Sequence, residues 1–422
     1  MLMTTTTYPP ATGGVQAHIA DLRRHLAHYE ADVVTLWLEN RTDWLLGTTL
    51  RLGTPHPDPP PQGGSENEPG NLEHGGGENQ PAVRRLTWSA ATRRRMLPWV
   101  LAYYGLVPVA ADRLASLITP ELDRMVSPEH VLIHNHRVGR EFLALASLTI
   151  ARRRGLPFVL TPHHHPKWRG YRYSGWLKAY RNADAVLAHT PSEERELIRL
   201  GVDPQRITVI WSAADDPLSG DPARFRAGFG QPRAPLVLFV GQLYAYKGVA
   251  ELLAAVDALH RRHIAANLAF IGPATPFSTA FFKKHTRPWL RVLGRVPPQE
   301  KWDALEAADV VCLPSHHEAF GRIYLEAWSK GKPVIGGRIP AVADVVRDGI
   351  SGLLVTPGSV AELSEAMERL LSDPGFARQI GERGLEAVNE RFSWPKVVAR
   401  VEAAYDQALR ESAARRRDPS AA

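Results

Sequence analysis

The chain has 422 residues, and its hydrophobic (44%) and charged (23%) fractions are those of an ordinary folded protein. This length predicts two domains. The formal net charge of +7 favours anionic partners, such as phosphorylated ligands or an anionic membrane face. The sequence contains no helix-turn-helix, zinc-finger or RNA-binding motif, so nucleic acid is not an expected partner.

Cysteine usage and hydropathy place the protein in the cytoplasm. Cys312 is the single cysteine, which excludes an internal disulfide and fits a reducing compartment. The threonine-rich residues 1–10 lack the basic and apolar regions of a secretory signal. The longest nearly uncharged apolar run, 96–111, is too short to cross a bilayer and contains two prolines. We therefore expect no transmembrane helix.

The start of the chain predicts a glycine loop followed by a helix and a strand. Gly13 and Gly14 precede a helical pattern at 15–28, and an apolar strand follows at 32–38. The strand that usually comes before such a loop is predicted to be missing or very short. Residues 54–81 consist mostly of Pro, Gly, Asn and Glu, and such a segment cannot bury enough apolar surface to fold. We predict a disordered insertion there.

Short strands then alternate with helices. The predicted strands are 131–133, 157–160 and 185–188, and the predicted helices are 141–154, 176–181 and 192–200. Thr190 is the expected N-cap of the last of these helices, and Glu193 is the expected partner in a capping box. Such alternation is typical of a parallel sheet.

The second half repeats this alternation after a Gly, Pro and Asp-rich segment at 212–235, which indicates an interdomain linker. Its predicted strands are 236–240, 268–271, 291–293, 310–313 and 333–335, and its predicted helices are 249–262, 299–308, 324–330 and 360–371. The fold class is therefore α/β, with two Rossmann-like domains facing across a cleft. Ligands bind at the carboxyl ends of the strands in such folds.

The segment from Glu318 to Glu326 is the most informative motif. Two carboxylates separated by seven residues flank a Phe320-Gly321 turn that follows a buried strand and leads into a helix. The N–H groups of Phe320, Gly321 and Arg322 would form an anion site at that helix terminus. The carboxylates would accept hydrogen bonds from sugar and ribose hydroxyls. A solvent-facing charged turn is the alternative, which the spacing alone leaves open.

With these residues in view, the chain resembles the retaining nucleotide-sugar glycosyltransferases of family 4, which have the GT-B fold. The matching pieces occur in order along the chain: Gly13-Gly14-Val15, His134-Asn135-His136, Thr161-Pro162-His163, Val240-Gly241, Lys247-Gly248, Glu318 to Glu326, Glu326-Ala327-Trp328, Gly331-Lys332-Pro333-Val334, Gly352-Leu353-Leu354-Val355 and Phe392-Ser393-Trp394. The resemblance implies a metal-independent, hexosyltransferase-like enzyme. Its donor would be a nucleotide-sugar, such as a UDP- or GDP-sugar, with no further cofactor.

The resemblance also implies roles for the donor side. Glu318 would hold the sugar hydroxyls, Glu326 the ribose, and Lys247 the diphosphate leaving group. The backbone at Gly241, Arg295 and Val296, together with Phe320 and Gly321, would approach the nucleotide and its phosphates.

One position departs from the family pattern. The family usually has an arginine directly after the strand-end glycine, and this chain has Gln242. A neutral amide still bonds a phosphate but adds no charge. Either Arg322, Arg295 or Arg338 takes over that charge, or donor turnover is weak.

Histidines mark the opposite side of the cleft. The resemblance places His163 beside the reacting carbon of the sugar, and His134 and His136 match a recurring family pair. His164 and Trp168 are further acceptor-side candidates, and Gly13-Gly14 would face the phosphate. Buried polar histidines are the alternative. A metal site is not expected, because the clustered histidines lack a third ligand at a recognisable spacing.

A basic and aromatic segment at 84–101 could lie on an anionic membrane, which would make the protein peripheral at the cytoplasmic face. The alternative is an amphipathic helix whose apolar side is core.

We therefore predict an acceptor domain at 1–214, a donor domain at 215–395, and a C-terminal helix from 396 that crosses back to the first domain. Arg415 to Arg417 would belong to a disordered tail. The predicted reaction is retaining glycosyl transfer to a lipid, saccharide or small molecule, as in polysaccharide or glycolipid biosynthesis. The alternatives are a catalytically weak or inactive sugar-nucleotide-binding partner protein, suggested by Gln242, and a GT-B epimerase.

Overall fold

The structure is a computed structural model. It describes residues 1–9, 13–37, 83–105, 107–136, 140–164, 174–214 and 216–417. The insertion predicted at 54–81 and the candidate Trp168 lie outside the described residues.

The first half of the chain forms a seven-stranded parallel sheet in the order β3-β2-β1-β4-β5-β6-β7. Its strands are β1 (Leu2–Thr7), β2 (Asp32–Trp37), β3 (Val83–Arg85), β4 (Ile133–His136), β5 (Phe158–Thr161), β6 (Ala185–Ala188) and β7 (Ile207–Val209). Strand β6 has its predicted bounds. Strand β4 lies further toward the C-terminus than predicted, so that the His-x-His pair is part of it.

Helices connect these strands, as the predicted alternation requires. They are α1 (Gly14–His25), α2 (Ala90–Tyr104), α3 (Ala110–Asp123), α4 (Glu141–Arg154), α5 (Ser174–Arg181) and α6 (Pro191–Arg199). Helix α4 has its predicted bounds and is buried along most of its length.

Strand β1 corrects the expectation that the first strand is missing or very short. The threonine run itself forms this six-residue strand in the middle of the sheet, between β2 and β4. Leu2 and Met3 are fully buried. Thr4 is also buried, and its hydroxyl lies 3.0 Å from that of Ser147 and accepts a 2.9 Å hydrogen bond from Asn135. Threonine suits such a strand because its branched Cβ favours extended backbone, while partners inside the core satisfy its hydroxyl.

The second half forms a six-stranded parallel sheet in the order β10-β9-β8-β11-β12-β13. Its strands are β8 (Leu236–Val240), β9 (Asn267–Ile271), β10 (Leu290–Gly294), β11 (Val310–Leu313), β12 (Val334–Gly337) and β13 (Leu353–Val355). Its helices are α7 (Pro222–Arg226), α8 (Val249–Arg261), α9 (Pro276–Phe282), α10 (Pro298–Ala307), α11 (Arg322–Ser329), α12 (Pro340–Ala343), α13 (Val360–Ser372) and α14 (Pro374–Arg391).

The last helix, α15 (Trp394–Arg417), returns to the first sheet. Its Val397, Val401 and Tyr405 are fully buried in one apolar cluster with Met3 of β1. Arg415 pairs with Asp184 at 2.6 Å, just before β6. The helix therefore continues to Arg417, and the predicted disordered tail at Arg415 to Arg417 is wrong, because this ion pair anchors the end of the helix.

Among the described residues, no helix combines the length and the low polarity that crossing a bilayer requires.

Candidate active site

A lysine–carboxylate ion pair lies at the carboxyl end of the second sheet. The Nζ atom of Lys247 is 2.5 Å from Oε2 of Glu318. Lys247 ends a short 3₁₀ helix (Ala245–Lys247) after β8, and Glu318 lies in the loop after the neighbouring strand β11. Only 14% and 15% of the two side chains are exposed, so water screens the pair weakly. Two residues predicted from separate motifs thus meet.

Gly248 allows the lysine loop to lie against the glutamate loop. Its φ is +77°, and a Cβ atom on it would lie 2.5 Å from the carbonyl oxygen of Pro314. The N–H of His316 also donates to the carbonyl of Tyr246, at 2.8 Å. Any other residue at 248 would separate the loops and with them the ion pair.

The second carboxylate of the motif has its own lysine. Glu326 lies in α11 and is 8% exposed, and Nζ of Lys301 in α10 is 3.0 Å from its Oε2. Sequence reasoning missed Lys301, because a lysine in a helix outside the motifs gives no signal. Gly321 is the N-cap of α11 with φ +87°, so the helix begins where the predicted anion site requires it.

The other donor-side residues lie where strands β8, β9 and β10 end. The N–H of Gly241 donates to the carbonyl oxygen of Ile271 at 2.9 Å, and the N–H of Gly272 donates to the carbonyl oxygen of Gly294 at 2.7 Å. Gln242 and Arg295 are exposed beside these turns, and Val296 is half-buried. The predicted nucleotide contacts are thus at the expected edge of the sheet.

Arg322 connects the two halves of the molecule. Its Nη2 lies 2.7 Å from Oδ2 of Asp21 in α1, and about a tenth of each side chain is exposed. Of the other arginines proposed to compensate for Gln242, Arg338 pairs with Asp348 at 2.7 Å and is half-exposed. Arg322 is the more buried cation, and Asp21 is the partner that sequence reasoning missed.

Five histidines form a cluster at the carboxyl end of the first sheet: His18, His134, His136, His163 and His189. The rings of His134 and His136 are 4.0 Å apart, which confirms that they share one face of their strand. His18 lies in α1, and His189 follows β6. Sequence reasoning missed these last two, because they belong to no histidine motif.

His134 is a satisfied core histidine. It is fully buried, its Nδ1 is 2.7 Å from the hydroxyl of Tyr405, and its Nε2 is 2.8 Å from that of Thr161. Burial lowers its pKa to about 3. Since both nitrogens bond to protein, the ring has no atom left for an acceptor, and the alternative of a buried polar histidine describes it better.

His136 differs from its neighbour. It is 1% exposed, and neither ring nitrogen has a hydrogen-bond partner among the described residues. Burial, reinforced by the surrounding histidines, holds its pKa well below the ordinary value. A buried imidazole without partners is costly, which favours a functional reason for it.

His163 is held by its surroundings in an unusual backbone conformation. Its φ is +43°, in the left-handed region that residues other than glycine rarely adopt. Its Nδ1 is 2.9 Å from Nε2 of His189, whose Nδ1 is 2.9 Å from the carbonyl oxygen of Trp211. His189 thus links His163, the predicted reaction-centre histidine, to the backbone carbonyl of Trp211.

Glu193 ties together the loops that carry His163 and His189. The Thr190 hydroxyl accepts the N–H of Glu193 at 3.1 Å, which confirms the N-cap. The carboxylate, however, accepts the N–H groups of His164 at 2.5 Å and His189 at 2.6 Å. The predicted capping box is therefore only half right. The Thr190 hydroxyl accepts the N–H of Glu193, but the Glu193 carboxylate bonds the N–H groups of His164 and His189 instead of that of Thr190. His164 is 6% exposed and anchored by its backbone.

Gly13 and Gly14 lie at the start of α1, directly beyond the central strand β1. Gly13 is the N-cap, and its carbonyl accepts the N–H of Ala17 at 3.1 Å. Their predicted phosphate contact stays a prediction. No set of three His, Cys, Asp or Glu side chains in the described part of the chain is arranged to hold a metal ion.

Two family models match the chain. Residues 13–211 match the glycosyl transferase 4-like domain, and residues 224–387 match the glycosyl transferases group 1 domain.

Curated relatives agree with these models. The D-inositol 3-phosphate glycosyltransferase of Acidothermus cellulolyticus is 31% identical over 66% of this chain and 68% of its own length. The protein of the same name from Corynebacterium glutamicum is 34% identical, and the chain spans just over half, 58%, of its length. A Mycobacterium tuberculosis glycogen synthase is 27% identical over 97% of this chain and 95% of its own.

Solved structures share the fold. Anabaena HepE in complex with UDP and glucose superposes with a TM-score of 0.69 at 17% identity, covering 96% of this chain and 98% of that one. Sucrose-phosphate synthase from Thermosynechococcus elongatus gives 0.71 at 20% identity, covering 97% and 99%. The matches to family models and relatives agree with the two parallel sheets and with the lysine–glutamate pair at the edge of the second. They show that the chain is a GT-B enzyme of the glycosyl transferases group 1 family.

Proposed function

We propose that this enzyme transfers a sugar from a nucleotide diphosphate-sugar to an acceptor hydroxyl with retention of anomeric configuration. Residues 215–395 would bind the donor, and the acceptor would approach from the side of residues 1–214. The observation that carries the proposal is the Lys247–Glu318 pair, a weakly screened cation and carboxylate at the ligand-binding edge of the second sheet.

Lys247 would stabilise the leaving group. Negative charge on the diphosphate grows as its bond to the sugar breaks, so a cation fixed in place beforehand lowers the barrier. An ammonium has three donors, so Lys247 can keep its bond to Glu318 while it contacts a phosphate oxygen. The other carboxylate oxygen of Glu318, which accepts the N–H of Ala319 at 3.3 Å, would then also accept a hydrogen bond from a sugar hydroxyl. Because the lysine supplies this charge, we propose that the reaction needs no metal ion.

Retention is supported by the state of the two carboxylates. A double displacement requires a nucleophilic carboxylate at the anomeric carbon, but Glu318 and Glu326 are each ion-paired with a lysine, which suits them to hold hydroxyls. We therefore propose attack from the face of the leaving group. The acceptor oxygen forms the new bond to the anomeric carbon, the bond to the diphosphate breaks, and the acceptor proton passes to a departing phosphate oxygen.

A UDP-sugar is our first choice of donor, since the similarly folded HepE was solved with UDP and glucose. A GDP-sugar is the second choice. The exposed Gln242, in place of a charged residue, would leave Arg322 as the additional cation nearest the interface between the halves.

A second part of the proposal is that the enzyme works on a lipid acceptor at an anionic membrane. Large apolar side chains are exposed along α2 and the segment after it, namely Leu97 (49%), Leu101 (67%), Tyr104, Val107 and Val109. Leu97, Leu101 and Tyr104 recur at the spacing of one helix face. Arg94 and Arg95 are exposed on the same helix, so apolar contact and positive charge occur together. Met96 and Val100 supply the core side of that helix.

The test is nucleotide release from a panel of UDP-, GDP- and ADP-sugars, with lipid extracts and saccharides as acceptors. NMR of the product gives the anomeric configuration, and inversion would contradict the proposed mechanism. Glu318→Gln should abolish transfer, whereas the exposed control Glu365→Gln should not. Epimer formation without acceptor would instead support an epimerase, and donor binding without turnover would support a binding protein.

A further inference from the structure

Two hydrogen bonds connect His163 to the segment that joins the two sheets. The carbonyl oxygen of Trp211 lies 2.9 Å from Nδ1 of His189, and Nε2 of His189 lies 2.9 Å from Nδ1 of His163. Trp211 is the second residue after β7, at the beginning of the connection to the second half. The imidazole of His189 is therefore a bridge between this connection and the proposed reaction-centre histidine.

The chemistry of the partners fixes the position of each proton. A carbonyl oxygen only accepts, so Nδ1 of His189 must carry a proton. In a neutral imidazole the other nitrogen is then an acceptor, so Nε2 of His189 accepts the hydrogen bond that the Nδ1–H of His163 donates. His163 is consequently the Nδ1–H tautomer, and its Nε2 carries the lone pair.

The surroundings of His189 keep it neutral, as this assignment requires. The side chain is buried, and burial lowers its pKa to about 4. Arg322 lowers the pKa further, and the Trp211 carbonyl raises it only in part. The groups that face His189 are His18, whose ring is 4.8 Å away, His163 at 4.6 Å and the Phe320 ring at 6.2 Å. None of these groups is an anion, and the nearby carboxylate of Glu193 accepts the backbone N–H groups of His164 and His189 rather than the His189 ring.

Two of the three non-glycine residues with positive φ in the described part of the chain lie at the two ends of the bridge. His163 has a φ of +43° and Trp211 a φ of +64°, and the third, His263, lies just after α8. A bulky aromatic residue is rare in this region, and such strain persists where the surrounding structure imposes it. The Trp211 ring is held against Phe320 and Phe392, with the Arg391 guanidinium 4.6 Å from its centre. Strain at both ends indicates that the bridge, rather than local preference, determines these two conformations.

We infer that His189 is a positioning residue that sets the tautomer of His163, so that Nε2 of His163 accepts a hydrogen bond from a substrate hydroxyl. This inference rests on the proposed function for the identity of the substrate. It specifies the chemistry of the group that meets His163, which must be a hydrogen-bond donor, such as a sugar or acceptor hydroxyl. A phosphate or carbonyl oxygen has no proton to donate, so its lone pair would be repelled by the lone pair on Nε2 of His163.

The first experiment measures the tautomer directly in the full-length protein. Two-dimensional NMR with 15N-labelled histidine distinguishes Nδ1–H from Nε2–H imidazole, and comparison with His163→Asn identifies the His163 signals. We expect the neutral Nδ1–H form at pH 7. An Nε2–H form, or an imidazolium, would overturn the inference.

The second experiment compares His189→Leu with His189→Gln. Leucine removes both hydrogen bonds, whereas the glutamine amide can donate to Trp211 and accept from His163. We expect kcat to fall about tenfold in His189→Leu, the effect of one hydrogen bond, with little change in the donor KM. His189→Gln should recover most of the activity and keep the His163 tautomer. Equal loss in both variants with an unchanged tautomer would mean that His189 only fills space, and would overturn the inference.

The two proposals can fail separately. If the wild-type protein shows the Nδ1–H tautomer but transfers no sugar from any donor, the proposed function is wrong while the hydrogen-bond bridge stands. If it transfers sugar but His163 is the Nε2–H form, the inference about His189 is wrong and the proposed function stands.

Discussion

The strand ends of the two sheets carry opposite kinds of chemistry. The second sheet presents full charges in pairs, Lys247 with Glu318 and Lys301 with Glu326. The first presents five histidines, and burial lowers the pKa of His18, His134, His136 and His189 so that they are neutral at pH 7. A departing diphosphate needs fixed positive charge, whereas a hydroxyl needs a directional acceptor. The difference between the two edges therefore matches a division of labour between leaving group and hydroxyl.

The contrast between the two sheet edges is tested most directly by removing a charge from the second edge. Lys247→Ala should lower kcat by about 10²- to 10³-fold, because a preorganised partner of the leaving group is lost. Nucleotide affinity, measured by calorimetry, should change less. The exposed Lys284→Ala is the matched control. Unchanged turnover in Lys247→Ala would mean that another cation bears the phosphate charge.

Lowering the pH should reduce the free energy of unfolding through the buried histidines of the first sheet. Unfolded histidine titrates near pH 6.5, but His189 in the folded protein has a pKa of about 4. Between these values the unfolded state binds the extra proton, so stability falls as the pH falls from 6.5 toward 4. By pH 5 His189 alone should cost roughly 2 kcal/mol.

Urea unfolding of the first transition at pH 7 and pH 5 measures this loss. His189→Gln should show a smaller pH-dependent loss than the wild type. An identical pH dependence in both proteins would show that His189 titrates normally and would contradict its burial as a neutral group.

The proposed membrane contact would be a third difference, because the exposed apolar side chains of α2 belong to the half of the chain that forms the first sheet. Leu97→Ser combined with Leu101→Ser should reduce partitioning onto phosphatidylglycerol vesicles at least tenfold, since each leucine contributes about 1.5 kcal/mol when buried. Binding to phosphatidylcholine should be weak throughout. Ile350→Ser removes an equally exposed side chain from the second half and serves as control. Equal partitioning of both variants would exclude α2 as the contact.

The smallest expected effect is that of a chelator. If Lys247 supplies the positive charge for the leaving group, EDTA should leave the initial rate of transfer unchanged. A rate that falls with EDTA and recovers with Mg²⁺ would show that the charge at the second edge is incomplete without a metal ion.

The sequence predicted the second edge better than the first, for a physical reason. The Lys247–Glu318 pair depends on short motifs whose glycines allow only one approach of the loops, as at Gly248. The histidine cluster depends on contacts between distant elements: the partner of His134 is Tyr405, 271 residues later. No local pattern encodes such a pair. The residues His18 and His189 were missed for this reason.

Most strands and helices were predicted because alternating apolar strands and amphipathic helices leave few other folds. Strand β1 was not, although its threonines favour extended structure, because a polar run in the middle of a sheet looks like a solvated segment until its hydroxyl partners are known. Glu193 was recognised as a helix-start residue, but its carboxylate accepts the N–H groups of His189, next to the N-cap, and of His164, in the loop after β5.

The return of α15 to the first sheet has a consequence for how the chain is made. Strand β1 is synthesised well before α15, because Val397, Val401 and Tyr405, which share its apolar cluster, follow almost 400 residues later. Until then the part of this cluster that α15 covers stays exposed, so the nascent chain must carry it through most of translation. Chaperone dependence of synthesis should therefore track the presence of the last helix, and supplying that helix as a separate peptide should shorten the vulnerable period.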